Sequence, residues 1–174
     1  VDFISNGSLH KLFIDRGIDY QKPEEYDLIV VDEAHKFRSS NTIMYEYLDI
    51  LCKTPRICTG NDMNHRKKVM LISATPINNR PDDIANQIFL FQNARSSTIQ
   101  GVPNLKSFFV EKSEKYKALK GLKGDELIKK VKDIYDPIRE KVFKELVIRR
   151  TRADLKKIER YNEDITSQGL LFPK

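Results

Sequence analysis

The segment Leu28-Ile29-Val30-Val31-Asp32-Glu33 constrains the fold more than any other part of this chain. Four aliphatic residues in succession suit a strand covered on both faces, as in a parallel sheet, and the two carboxylates stand at its end, facing whatever binds there. A second apolar run, Val69-Met70-Leu71-Ile72, ends in the small and hydroxylated residues Ser73-Ala74-Thr75 and then Pro76. Between the two runs, Asn41 opens a helical pattern in which Met44, Tyr47, Leu48 and Leu51 share one face, and Thr54-Pro55 closes it. A helix between two apolar strands returns the chain to the start of a parallel neighbour, so the expected class is α/β.

Adjacent carboxylates at a strand end suit phosphoryl transfer. In sites that hydrolyse nucleoside triphosphates, one acid anchors magnesium, usually through water, and the next orients or polarises the attacking water. Asp32 and Glu33 are the candidates for those two roles. Read without context, the same pair is only an acidic loop after a core strand.

Asp32-Glu33-Ala34-His35 followed by the strand and Ser73-Ala74-Thr75-Pro76-Ile77-Asn78-Asn79 resembles the motor core of superfamily-two helicases and translocases, and the Pro-Ile-Asn-Asn continuation looks most like the Swi/Snf-type branch. Val147-Ile148-Arg149-Arg150-Thr151-Arg152 is similar to the Arg-Arg-Thr element that closes the first motor lobe there. The register after His35, Lys36-Phe37-Arg38-Ser39-Ser40-Asn41, departs from that pattern, and Ser73 stands where the branch commonly has threonine. The resemblance implies a partial RecA-like P-loop NTPase lobe, a parallel sheet flanked by helices, with a helical appendage. It implies ATP and Mg2+ as cofactors, Asp32 on the metal, Glu33 activating water, and His35 relaying nucleotide state to Ser73, Ala74 and Thr75. Arg149, Arg150 and Arg152 would contact the other lobe or nucleic acid.

No Gly-x-x-x-x-Gly-Lys-Ser/Thr loop occurs in the sequence, and Gly121 and Gly124 are followed by Asp125, as in a turn. The expectation is therefore an internal piece of a longer protein, lacking the phosphate-loop strand and the second motor lobe, and inactive alone. Residues 1–100 would be the C-terminal part of the first ATP-binding lobe, 101–152 a basic helical appendage, and 153–174 the linker toward the missing lobe. A sheet lacking one strand would leave an edge or an inner face that the full protein covers.

Charge sharpens the second of these segments. Lys and Arg number 12 against 13 Asp and Glu over residues 1–100, 15 against 8 over 101–152, and 4 against 4 thereafter. The net charge of +6 thus sits in the middle block. Such a block attracts phosphate backbone without reading bases; a solvated helical face is the plainer reading. Double-stranded DNA is the expected partner, with a nuclease or modification enzyme as a further one, in a bacterial cytoplasm. A non-hydrolysing nucleic-acid-binding or scaffold module is the alternative, and an RNA helicase ranks behind both. Cys52 and Cys58, with five residues between them, lack metal-ligand spacing and read as free thiols, and no apolar run reaches 18 residues.

The remaining pattern is helical. Val1 to Ser5 is a short strand candidate, and Gly7-Ser8 opens a helix with Leu9, Leu12 and Phe13 on one side. Pro81 suits a first helical turn with Asp82 and Asp83 at the positive end of its dipole, and Ile84, Ile88 and Phe91 face inward. Asn104 caps a helix with Leu105, Phe108 and Phe109. Asp125 starts a longer one carrying Ile128, Val131, Tyr135, Ile138 and Val142, broken or kinked at Pro137.

Overall fold

A computed structural model describes residues 1–14, 20–58, 64–74, 80–149, 154, 163 and 167–169. Two strands, β1 (Leu28–Val31) and β2 (Lys68–Leu71), pair in parallel with Leu28 opposite Lys68 and Val31 opposite Leu71. The helices are α1 (Lys11–Ile14), α2 (Ile43–Lys53), α3 (Pro81–Phe89), α4 (Leu105–Lys117), α5 (Gly124–Ile138) and the short α6 (Lys144–Leu146). The molecule is thus mixed α/β around a two-stranded parallel sheet.

Two apolar cores organise it. Ile29 and Val31 of β1 pack with Ala34, Phe37, Leu48, Leu51 and Cys52, so α2 covers one face of the sheet. Ile84, Ala85 and Ile88 of α3 pack with Ile99, Val102, Leu105, Phe109, Ile138 and Val142 in the second core. Ile138 and Val142 are fully buried, and each such aliphatic side chain contributes about 1.5–3 kcal/mol through removal from water.

Local chemistry explains where the helices begin. Thr42 caps α2 by accepting from the Tyr45 N–H at 3.2 Å, one residue later than the expected Asn41. The Thr54 hydroxyl donates to the Ile50 carbonyl at the other end, before Pro55. Asn104 caps α4 as expected, accepting from the Ser107 N–H at 3.0 Å. Pro81 opens α3, and the Asp83 carboxylate accepts from the Arg80 N–H at 3.2 Å, satisfying a donor that a helix start leaves without a partner. Beyond Pro137, which deprives α5 of one ladder donor, the chain widens into a π-helical turn, Arg139–Phe143, before α6.

Three expectations are corrected. Val1 to Ser5 forms no strand; Val1 and Phe3 are exposed, and no described strand lies beside them. β1 is not covered on both faces: Ile29 and Val31 point inward, but Leu28 and Val30 are 49% and 53% exposed, and Met70 and Ile72 beside them 53% and 47%. Among the described residues, helices flank only one side of this sheet, and alternate residues of both strands are left bare. Ile128 faces solvent at 65% exposure while Ile134 takes the core position, because the first half of α5 has little to pack against.

Candidate functional site

β1 delivers Asp32 to the rim of the sheet, and the next residue turns the chain sharply. Glu33 adopts φ 53° and ψ 44°, the left-handed region that non-glycine residues rarely occupy. From there the chain enters a 3-10 turn, Ala34–Phe37, whose Ala34 and Phe37 are almost fully buried. The two carboxylates are consequently held outside on a turn anchored underneath.

That turn is fastened to the neighbouring strand. The Ile72 N–H donates to the Val31 carbonyl at 2.8 Å, and the Ala34 N–H donates back to the Ile72 carbonyl at 2.9 Å. Ile72 therefore bonds the chain on both sides of Asp32-Glu33, and Ser73 follows it directly. The two motifs, about forty residues apart in sequence, meet at one end of the sheet.

α3 grips the same turn from the opposite direction. The Gln87 amide donates from Nε2 to the Ala34 carbonyl at 2.8 Å, and the Asn86 amide from Nδ2 to the Arg38 carbonyl at 2.8 Å. The Tyr45 hydroxyl of α2 in turn donates to the Asn86 carbonyl at 2.8 Å. Burial and the nearby Asp49 and Cys52 hold the Tyr45 phenol well above its ordinary pKa, so it stays a donor. Sequence reasoning missed Gln87 and Asn86; the available signal was a pair of amides set in the middle of an otherwise apolar helix stripe.

The acids themselves are exposed. Asp32 accepts from the N–H of the next residue, Glu33, at 2.8 Å through Oδ1, which leaves its other oxygen available. Glu33 Oε2 lies 3.0 Å from His35 Nδ1, an ion-pair distance without hydrogen-bond alignment, with the side chains 50% and 37% exposed. Among the described residues no three acidic, histidine or cysteine side chains converge as a metal cage. The donor set fits a hard cation that takes one or two carboxylates and completes its shell with water and phosphate oxygens, as magnesium does in phosphoryl-transfer sites.

Of the other expected residues, Ser73 is half-buried and Ala74 exposed at the end of β2, whereas Thr75 lies outside the described residues. Arg149 is exposed beyond α6; Arg150 and Arg152 also lie outside. Cys52 is buried, which pushes its thiol up to about 12, and Cys58 is half-buried with Sγ 3.4 Å from His65 Nδ1. Lys67 buries its stem and donates from Nζ to the Leu51 carbonyl at 2.8 Å, capping the end of α2.

Comparison with known proteins bears on this geometry. A stretch of 67 residues is 37% identical to the uncharacterized ATP-dependent helicase YqhH of Bacillus subtilis (strain 168). That stretch is helicase-like in sequence. It takes in 38% of this chain and 10% of that protein. No protein-family profile matches the chain, and no solved structure does. No helix among the described residues is long and apolar enough to cross a membrane.

Proposed function

We propose that this chain is part of the first motor lobe of an ATP-dependent DNA helicase or translocase of the Swi/Snf-like type. The observation that carries the proposal is the fastening of the Asp32-Glu33 turn to the Ser73 end of β2 through Ala34 and Ile72, which unites the two helicase-like motifs in one place. The 67-residue likeness to an ATP-dependent helicase supports it, and that helicase is far longer than the shared stretch. The bare sheet face of Leu28, Val30, Met70 and Ile72 supports it too, since parallel sheets are ordinarily covered on both sides.

Bound Mg-ATP supplies the transferable phosphoryl group and the cation that neutralises its developing charge. Asp32, with one oxygen held by the Glu33 amide, would hold the cation through the other. Glu33, half-exposed beside it, would orient the attacking water and accept its proton. His35, resting against Glu33, reports the state of that carboxylate toward Ser73 and Thr75. The turn between them thereby links nucleotide state to the neighbouring strand.

Duplex DNA is the substrate on this reading. A longer protein containing this chain hydrolyses ATP faster with duplex DNA than without, and Glu33→Gln removes that activity while leaving nucleotide binding. Equal rates with and without DNA sink the translocase reading. Stronger stimulation by RNA than by duplex DNA moves it to the RNA helicases. The 174-residue chain alone, which has no phosphate-loop sequence, turns over no ATP.

A further inference from the structure

The far end of the α4–α5 hairpin differs in charge from the rest of it. Along the hairpin body, four cations have carboxylate partners, Lys115 on Glu111 at 2.6 Å, Lys112 on Glu111 at 3.1 Å, Lys130 on Glu126 at 3.2 Å and Arg139 on Asp136 at 3.2 Å, while Lys106, Lys129 and Lys132 have no ion pair among the described residues but alternate with acids in sequence. Between Glu114 and Asp125 the sequence has four lysines and no acid. Lys117, Lys120 and Lys123 are all exposed, and none has an ion pair among the described residues.

These lysines also sit on a defined frame. The Leu119 N–H donates to the Tyr116 carbonyl at 3.1 Å and the Leu122 N–H to the Leu119 carbonyl at 3.0 Å, so the connector is a succession of tight turns. Gly121 (φ 92°) and Gly124 (φ 62°) take the left-handed conformations that reverse it. Leu119 and Leu122 are half-buried beneath, while the lysines alternate outward. The Tyr116 and Tyr135 rings meet edge to face at 6.3 Å. Eleven residues of helix separate Tyr135 from Gly124, so α5 starts roughly 16 Å along its axis from that contact. The start of α5, with Lys123 beside it, therefore lies well away from the Tyr135 contact, whereas Lys117 follows that contact directly. Asp125 and Glu126 occupy the first turn of α5, where they answer the helix dipole, and Glu126 is engaged with Lys130.

We infer that the acid-free connector between α4 and α5, through Lys117, Lys120 and Lys123, is a phosphate-backbone contact for duplex DNA. This rests on the proposed DNA translocase and assigns the surface that holds the duplex. Three compact ammonium groups spread over seven residues suit successive phosphates and carry no base preference.

The test is titration of a fluorescein-labelled duplex by the 174-residue chain without nucleotide, over a range of salt. For Lys117→Ala/Lys120→Ala/Lys123→Ala, the slope of log K against log salt falls by about 2.7, at roughly 0.9 per phosphate contact, and affinity at 0.1 M salt falls by up to about 500-fold. A control of equal charge loss on the first core, Lys11→Ala/Lys22→Ala/Lys53→Ala, leaves the slope nearly intact. Equal losses in both variants, no loss in either, no DNA binding by the parent chain, or equal capture by phosphatidylserine vesicles overturns the inference. Because nucleotide is absent, these results are independent of whether Glu33→Gln abolishes hydrolysis in the longer protein.

Discussion

Replacing Glu33 by glycine separates what this residue does for folding from what it does for chemistry. A non-glycine residue in the left-handed region carries a penalty of about 1–2 kcal/mol, which glycine removes. Glycine's greater freedom in the unfolded chain gives back about 0.5–1 kcal/mol. Losing the half-exposed contact with His35 costs about 0–1 kcal/mol after solvent screening. The terms nearly cancel, so Glu33→Gly lies within about 1 kcal/mol of the parent, a change in Tm of no more than roughly 4 °C. Glu33→Val, β-branched at the same φ, is the contrasting substitution and unfolds earlier. In the longer protein, phosphate release by the glycine variant falls by about 10²-fold or more, the usual contribution of a positioned base. Thermal melts followed by circular dichroism supply one axis and a phosphate-release assay the other. A glycine variant destabilised by more than about 2 kcal/mol refutes the reasoning, because the side chain would then be holding the turn rather than being held on it.

Three other expectations follow from the packing. Gln87→Ala removes the hydrogen bond that the Gln87 amide donates to the Ala34 carbonyl and lowers stability by about 1 kcal/mol in urea unfolding, a loss that Gln87→Glu does not repair because a carboxylate cannot donate. Ile138→Ala, at a fully buried site, costs about 2–5 kcal/mol, while Ile128→Ala on the same helix stays within about 0.5 kcal/mol; similar urea midpoints for the two would contradict the described core. Cys52, with its native pKa raised from 9.0 to about 12, binds its proton more tightly folded than unfolded, so its contribution to stability is complete below about pH 9 and is lost as pH rises toward 12. Lys67, lowered by its burial, acts in the opposite sense over its own range, and Cys52→Ala flattens the alkaline limb of a stability–pH profile; an unchanged limb would mean the thiol is not burdened by burial.

The parts of the fold readable from sequence were those set by local chemistry. β1, β2 and the helix between them came from uninterrupted apolar runs and 3.6-residue spacing, and Asn104 and Pro81 marked helix starts because their side chains satisfy or dispense with unpaired backbone donors. Asn41 was displaced by Thr42, its neighbour, which has the same capping chemistry. What escaped was everything decided by which element lies against which. The aliphatic run of β1 reads as doubly buried, yet Leu28 and Val30 are bare because no described helix crosses their side. Ile128 fits the helical stripe as well as Ile134 does, and only the reach of α4 separates them. At the site, the acids and the Ser73 strand were legible as motifs, but the left-handed Glu33 and the amides of Gln87 and Asn86 were not, since nothing local obliges a glutamate to turn that way or two amides to find distant carbonyls.

α3 belongs to two structures at once. Ile84, Ala85 and Ile88 wedge it among the hairpin helices, while Asn86 and Gln87, one step round the same helix, pin the loop that displays the acids. A helix is stiff over this length, so the rod cannot slide for one party and stay still for the other without breaking two hydrogen bonds donated by side-chain amides, each worth about 1 kcal/mol. A rearrangement that tilted the acidic loop and kept both hydrogen bonds would carry α3 with it, and so disturb the second core that Ile84, Ala85 and Ile88 share with α4.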